Sequence, residues 1–135
     1  MSPRPRLQAL LLAEHVYTDA STGKRIIAGT FNSIAVAEFP TYVALPAYAY
    51  ISVTDVRTGK ADLVLRFISN EDLSVLMELG PLPVRVKDIH ETIEIGIPIP
   101  GFPLPNAGIY DFELHADGER LGCLRITATL PPAQS

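Results

Sequence analysis

Three histidines, a single cysteine and scattered carboxylates are the side chains through which this chain could do chemistry. His15, His90 and His115 are far apart in sequence. A zinc site takes its ligands from close pairs, such as Cys-x-x-Cys or His at i and i+4, and none is present. Glu14 and His15 are adjacent, but neighbours on a strand point to opposite faces. Each histidine therefore reads as a satisfied or exposed strand residue. Cys123 has Gly122 and Leu124 beside it and no adjacent base. A reactive thiolate needs a nearby His or a helix N-terminus, so a structural or exposed thiol on the outer face of the last strand is expected. No Gly-x-Ser-x-Gly elbow occurs, and Ser33, Ser52, Ser69 and Ser74 read as ordinary strand and loop residues.

Two Thr-Gly-Lys triplets, at 22–24 and 58–60, invite comparison with phosphate-binding loops. Such a loop needs a glycine five residues before the Gly-Lys pair and Ser or Thr after it. Thr18 and Thr54 hold the first position, and Arg25 and Ala61 hold the last. Both triplets fail and are read as hairpin turns. Asp88, Glu91 and Glu94 are too few for calcium, which wants six to eight oxygens from a dedicated loop. Glu71-Asp72, behind Asn70, reads as a turn. The expectation is a protein that is not an enzyme, with no catalytic residues, no metal and no cofactor.

Composition narrows the partners. The 135 residues fit one domain, 1–135, with a formal net charge of −4. That charge gives no basis for binding nucleic acid or an anionic membrane, and Arg4 and Arg6 alone are not a patch. The lone cysteine excludes an intrachain disulfide and suits a reducing compartment. Leu7 to Ala13 is apolar behind two arginines and mimics a signal peptide. It is too short to span a membrane, and Glu14, His15 and Tyr17 follow where a cleavage site would stand. A cytoplasmic protein is expected. Charged residues make up only 19% against 47% apolar, which hints at a buried interface.

The elements that must position these residues read as strands. Leu63, Leu65 and Phe67 alternate with Asp62, Val64 and Arg66; Ile93, Ile95 and Ile97 with Thr92, Glu94 and Gly96. Tyr110, Phe112 and Leu114 alternate with Asp111, Glu113 and His115; Leu124, Ile126, Ala128 and Leu130 with Cys123, Arg125, Thr127 and Thr129. Period two means one face in the core. Prolines at 3, 5, 40, 46, 81, 83, 98, 100, 103 and 105 mark borders between short elements. Asp117-Gly118 supplies the positive φ angles of a tight hairpin. Eight strands follow, at about 7–18, 25–37, 47–55, 61–69, 73–79, 90–97, 109–116 and 120–130. The first also fits a helix through Leu7, Leu10, Leu11 and Glu14; Val16-Tyr17-Thr18 and the turn after it favour a strand. The expected fold is all-β, a two-layer antiparallel sandwich with Leu63, Leu65, Phe67, Ile93, Ile95, Tyr110, Phe112, Leu114 and Ile126 in its core.

The opening Leu-Leu-Leu-Ala-Glu-His-Val-Tyr-Thr-Asp, the Thr-Gly-Lys after it and Ile-Ile-Ala-Gly-Thr-Phe-Asn resemble a family of uncharacterised small bacterial proteins, a domain of unknown function. Gly108-Ile109-Tyr110-Asp111-Phe112-Glu113-Leu114, then Asp117-Gly118 and Leu121-Gly122, are similar to that family's ending. The resemblance spans most of the chain. It implies a cytoplasmic β-sandwich, immunoglobulin-like or C2-like, with no assigned activity and no site residues to carry over. Gly108-x-Tyr110-x-Phe112 also resembles the penultimate strand of immunoglobulin-like sandwiches, where a tyrosine ties a corner to nearby backbone. The disulfide and core tryptophan of antibody domains are absent, since the chain has one Cys and no Trp.

Two functional readings follow. The first is a protein-interaction or self-association module, a homodimer in its simplest form. Its motive is the first two strands, apolar on both faces: Leu10 and Leu12 oppose Leu7, Ala9 and Leu11, and Ile27 and Phe31 oppose Ile26, Ile34 and Val36. The second face needs a cover, from a second copy or from the link 38–46 or the proline-rich loop. The alternative is a small-ligand or carbohydrate-binding sandwich, with Tyr42, Tyr48 and Tyr50 lining a groove. The loop from Pro98 to Gly108 carries Ile99, Phe102 and Leu104 on a stiff backbone, and Phe102 is expected to plug one end of the core.

Overall fold

Alternating apolar and polar side chains build strands throughout, and a computed structural model describes residues 4–44 and 46–131. The Pro3 border and Leu45 in the link lie outside the described residues. Among the described residues eleven strands are present: β1 (Arg6–Thr18), β2 (Arg25–Thr30), β3 (Ser33–Ala35), β4 (Thr41–Val43), β5 (Tyr48–Thr54), β6 (Lys60–Ser69), β7 (Val75–Arg85), β8 (Ile93–Pro98), β9 (Phe102–Leu104), β10 (Gly108–Ala116) and β11 (Glu119–Thr129). The described residues contain no helix. The first apolar segment is a strand, as its β-branched tail suggested.

Three sheets form, with orders β2-β1-β5-β8, β3-β11-β10-β6-β7 and β4-β9. One hydrophobic cluster draws on all three: Leu10, Leu12, Ile51 and Val53 from the first, Leu63, Leu65, Phe67, Tyr110, Phe112, Leu114 and Ile126 from the second, and Val43, Phe102 and Leu104 from the ribbon. At its centre Phe67 meets Phe102 and Phe112 at 4.8 Å between ring centroids and stacks on Tyr110 at 5.1 Å. Of the expected core, only Ile93 and Ile95 are half-buried, because β8 is an edge strand.

Five expectations are corrected. The expected strand 25–37 is two strands in different sheets: β2 pairs with β1, while β3 crosses to pair with β11. That second pairing is parallel, so the sheets are not wholly antiparallel. The turn at Thr58-Gly59-Lys60 is not a hairpin but a crossing from β5 in one sheet to β6 in the other. Glycine at a positive φ serves any tight reversal, and local sequence does not say whether the next strand pairs or crosses. β7 runs on through Pro81 and Pro83, taken above as borders; it is the edge of its sheet, where a missing N–H faces no partner. The link 38–46 and the proline-rich loop, expected without strands, each hold a short one: Thr41, Tyr42 and Val43 pair with Leu104, Pro103 and Phe102. Phe102 is buried in the core, as expected of it.

Part of the first sheet's second face has an internal cover. In a flat sheet β1 and β8, two strands apart, lie about 10 Å from each other. Here Val16 of β1 packs on Gly96 of β8 so closely that a Cβ there would stand 2.9 Å from Val16 Cγ1. Arg25 of β2 donates to the Glu94 carbonyl of β8 at 2.9 Å. The sheet therefore curls, and the far half of the β1–β2 hairpin folds over β8. Tyr50 and Ser52, on the β5 face that pairs with Gly96 and Glu94, are buried. Leu10 and Leu12 face the core, Leu12 being 1% exposed, so the second face is that of their opposites, among which Ile26 is 48% exposed.

Candidate interaction surface

The side chains weighed for chemistry do not converge. His15 is exposed on β1 and stacks on Tyr17, with ring centroids 5.4 Å apart. His90 lies in the β7–β8 connection, its backbone N–H bonded to Asp88. His115 is buried on β10 with Nε2 3.0 Å from Glu113 Oε1. The other Glu113 oxygen takes Arg120 at 3.4 Å. Among the described residues no group of three or more His, Cys, Asp or Glu side chains could hold a metal ion. Glu91 accepts the Lys87 N–H and Glu94 accepts the Tyr50 hydroxyl, so the three carboxylates once considered for calcium serve separate protein donors. Burial, followed by Glu94, raises the Tyr50 pKa. Cys123 is exposed on β11, as expected.

Of the three tyrosines expected to line a groove, Tyr48 is half-buried on β5. Tyr50 is buried, while Tyr42 is 63% exposed on β4, with its hydroxyl donating to the Gly101 carbonyl at 2.8 Å. Glu14 and His15, separated above by strand alternation, line one cleft of about 430 Å³ with Phe31, Ser33, Ile34, Ala35 and Pro46. The cleft lies where β1 runs past its last partner on β5, Tyr48, so both faces of its free edge border the gap. Tyr110 behaves as its resemblance implied: its hydroxyl donates to the Asn106 carbonyl at 2.5 Å, tying the corner before β10.

A different place stands out. The turn from Asn70 to Leu73 joins β6 to β7, and its tip is exposed. Leu73 is 68% exposed and has φ +61°. A bulky L-residue pays about 1–2 kcal/mol for that left-handed conformation. Among the described residues the other two non-glycine residues at positive φ are Asp55 and Asp117, whose short polar side chains suit it. Asp72 braces the turn, taking the Ser74 N–H at 3.0 Å and the Ser74 hydroxyl at 2.7 Å. Those bonds, the hydroxyl's first, hold its carboxyl below the usual carboxylate value. Val75 at the start of β7 is 51% exposed and Ile109 at the start of β10 is 41% exposed. Ile109 joins the turn through its carbonyl, which accepts the Asn70 N–H at 3.0 Å. Beneath lies Asp111, 7% exposed and bonded to the Asn70 amide at 2.6 Å.

These residues were missed because each is ordinary alone: Leu73 and Val75 head an expected strand and Ile109 opens another. The available signal was a turn, Asn70-Glu71-Asp72-Leu73, that lacks the glycine its neighbours carry. A comparison with curated proteins finds no match. A model of a family of unknown function, DUF6941, matches residues 8–129, and the chain belongs to that family.

Proposed function

We propose that this chain is a non-catalytic protein-interaction domain of the cytoplasm, a two-layer immunoglobulin-like sandwich whose β6–β7 turn makes the contact. The observation that carries the reading is Leu73, a large apolar side chain held in the solvent at a conformational cost. The Leu73 N–H closes the turn on the Ser69 carbonyl at 2.8 Å, a bond that a glycine would make without strain, and strain of this kind concentrates at functional positions. Val75 and Ile109 extend the apolar area, and Glu71 and Asp72 rim it with negative charge. Desolvated apolar anchors within a polar rim are the anatomy of a protein contact. A photo-cross-linking residue placed at position 73 in the source cell tests this. Discrete protein adducts are expected at 73 and not at Thr129, an exposed control. Equal labelling at both positions, or none at 73, would count against the reading.

A further inference from the structure

We infer that the partner of this turn is a second copy of the chain, bound head to tail, with the turn of one copy seated in a basic cleft at the opposite end of the next. The inference rests on the reading of the turn as a contact surface and names its occupant.

β6 connects the two features. Its last residue, Ser69, leads into the turn, and its first, Lys60, borders the cleft. Ten residues of strand separate them, about 30 Å. The cleft is a double hollow on either side of Thr58 and Asp117. One part, of about 350 Å³, is bordered by Arg4 and Arg57; the other, of about 440 Å³, by Lys60 and Arg85. Among the described residues none of these four cations has a carboxylate within ion-pairing distance. Arg4 reaches only a carbonyl, that of Arg120, at 3.2 Å. Three carboxylates, Asp62, Asp117 and Glu119, also border the cleft, so its four cations leave a net charge of +1; Asp117 accepts the Asp62 N–H at 2.9 Å.

The turn is the converse. From Asn70 to Val75 it carries Glu71 and Asp72 and no Lys or Arg, and it is convex where the cleft is concave. Shape and charge therefore match between the two ends. The apolar rims match as well: Pro5 in one hollow and Pro83 in the other would meet Leu73. Because the two surfaces differ, the contact is heterologous. It propagates to a ring or an open filament and does not stop at a twofold dimer.

Sedimentation of the purified chain tests this. At low salt the wild-type weight-average mass is expected to rise with concentration beyond that of a dimer, and to fall back as salt screens the contact. Leu73→Asp with Glu71→Lys breaks the turn; aspartate tolerates the left-handed φ, so the fold survives. Arg57→Glu with Lys60→Glu breaks the cleft at exposed positions. Each double variant alone should be monomeric with an unchanged far-ultraviolet circular dichroism spectrum. Mixed, they should form a one-to-one dimer and nothing larger, since one intact turn then meets one intact cleft. A wild-type chain that stays monomeric at low salt would overturn the inference, as would assembly that survives either variant or a mixture that remains monomeric. Inorganic phosphate bound in the cleft of a monomeric wild type would assign that cleft to a small anion instead. A monomer that still cross-links from position 73 to a different protein would sink this inference and leave the interaction reading standing.

Discussion

Phe67 and Leu73 stand six residues apart on one hairpin and meet opposite fates. Phe67 is fully buried among Phe102, Tyr110 and Phe112, and Leu73 is 68% exposed. Both are large and apolar, so residue type does not separate them. In the core, three aromatic neighbours surround the ring, and its backbone is strand, with the register against β7 shifting between Phe67 and Ile68. At the turn, the side chain lacks a cover and the backbone carries a left-handed φ. The contrast with the Asp117-Gly118 hairpin is as sharp. There φ is +49° and +86°, at residues that suit it. The left-handed position is filled by residues that suit it at one turn and by a strained leucine at the other.

Breaking the buried side has the largest effects. Leu12→Glu places a charge where 1% of the side chain is exposed, and burying an unpaired charge costs several kcal/mol, comparable to the whole stability of a domain. An insoluble or unfolded product by circular dichroism is expected; a soluble folded monomer would put Leu12 on the surface. Next comes Phe112→Ala, expected to cost about 3–5 kcal/mol in a urea titration, because the ring is fully buried. Tyr110→Phe keeps the ring and removes the hydroxyl that serves Asn106, a loss of about 1 kcal/mol in the same titration.

The turn responds in the other direction. Leu73→Gly relieves the left-handed strain and is expected to raise stability by about 0.5–1 kcal/mol while lowering self-association. A loss of stability would mean that Leu73 packs within its own chain. The smallest effect is an acid one. Asp72 and Asp19 have carboxyls held below their usual value of 3.8, chiefly by the side-chain hydroxyls of Ser74 and Ser21. A depressed folded-state pKa stabilises above the unfolded value and is lost as pH falls through the folded one. Both turns should loosen only below the ordinary carboxylate range. Amide hydrogen exchange at Ser74 and Ser21 reports it, and loosening near neutral pH would contradict the assignment.

Sequence alone determined the all-β class, the inward residues of β6 and β10, the tight turn at Asp117-Gly118 and the corner made by Tyr110. Each of these depends on a period of two or on one residue's own φ preference, and such signals are local. Tertiary structure alone decided that 25–37 divides between two sheets, that β5 crosses to β6, and that β4 pairs with β9 across some sixty residues. It also decided that the β1–β2 hairpin would cover β8, and that Leu73 would be left bare at a positive φ. The physical reason is the same throughout. Strand pairing satisfies backbone groups that are identical in every residue, so which edge meets which is set by the packing of the whole core and not by the segment itself.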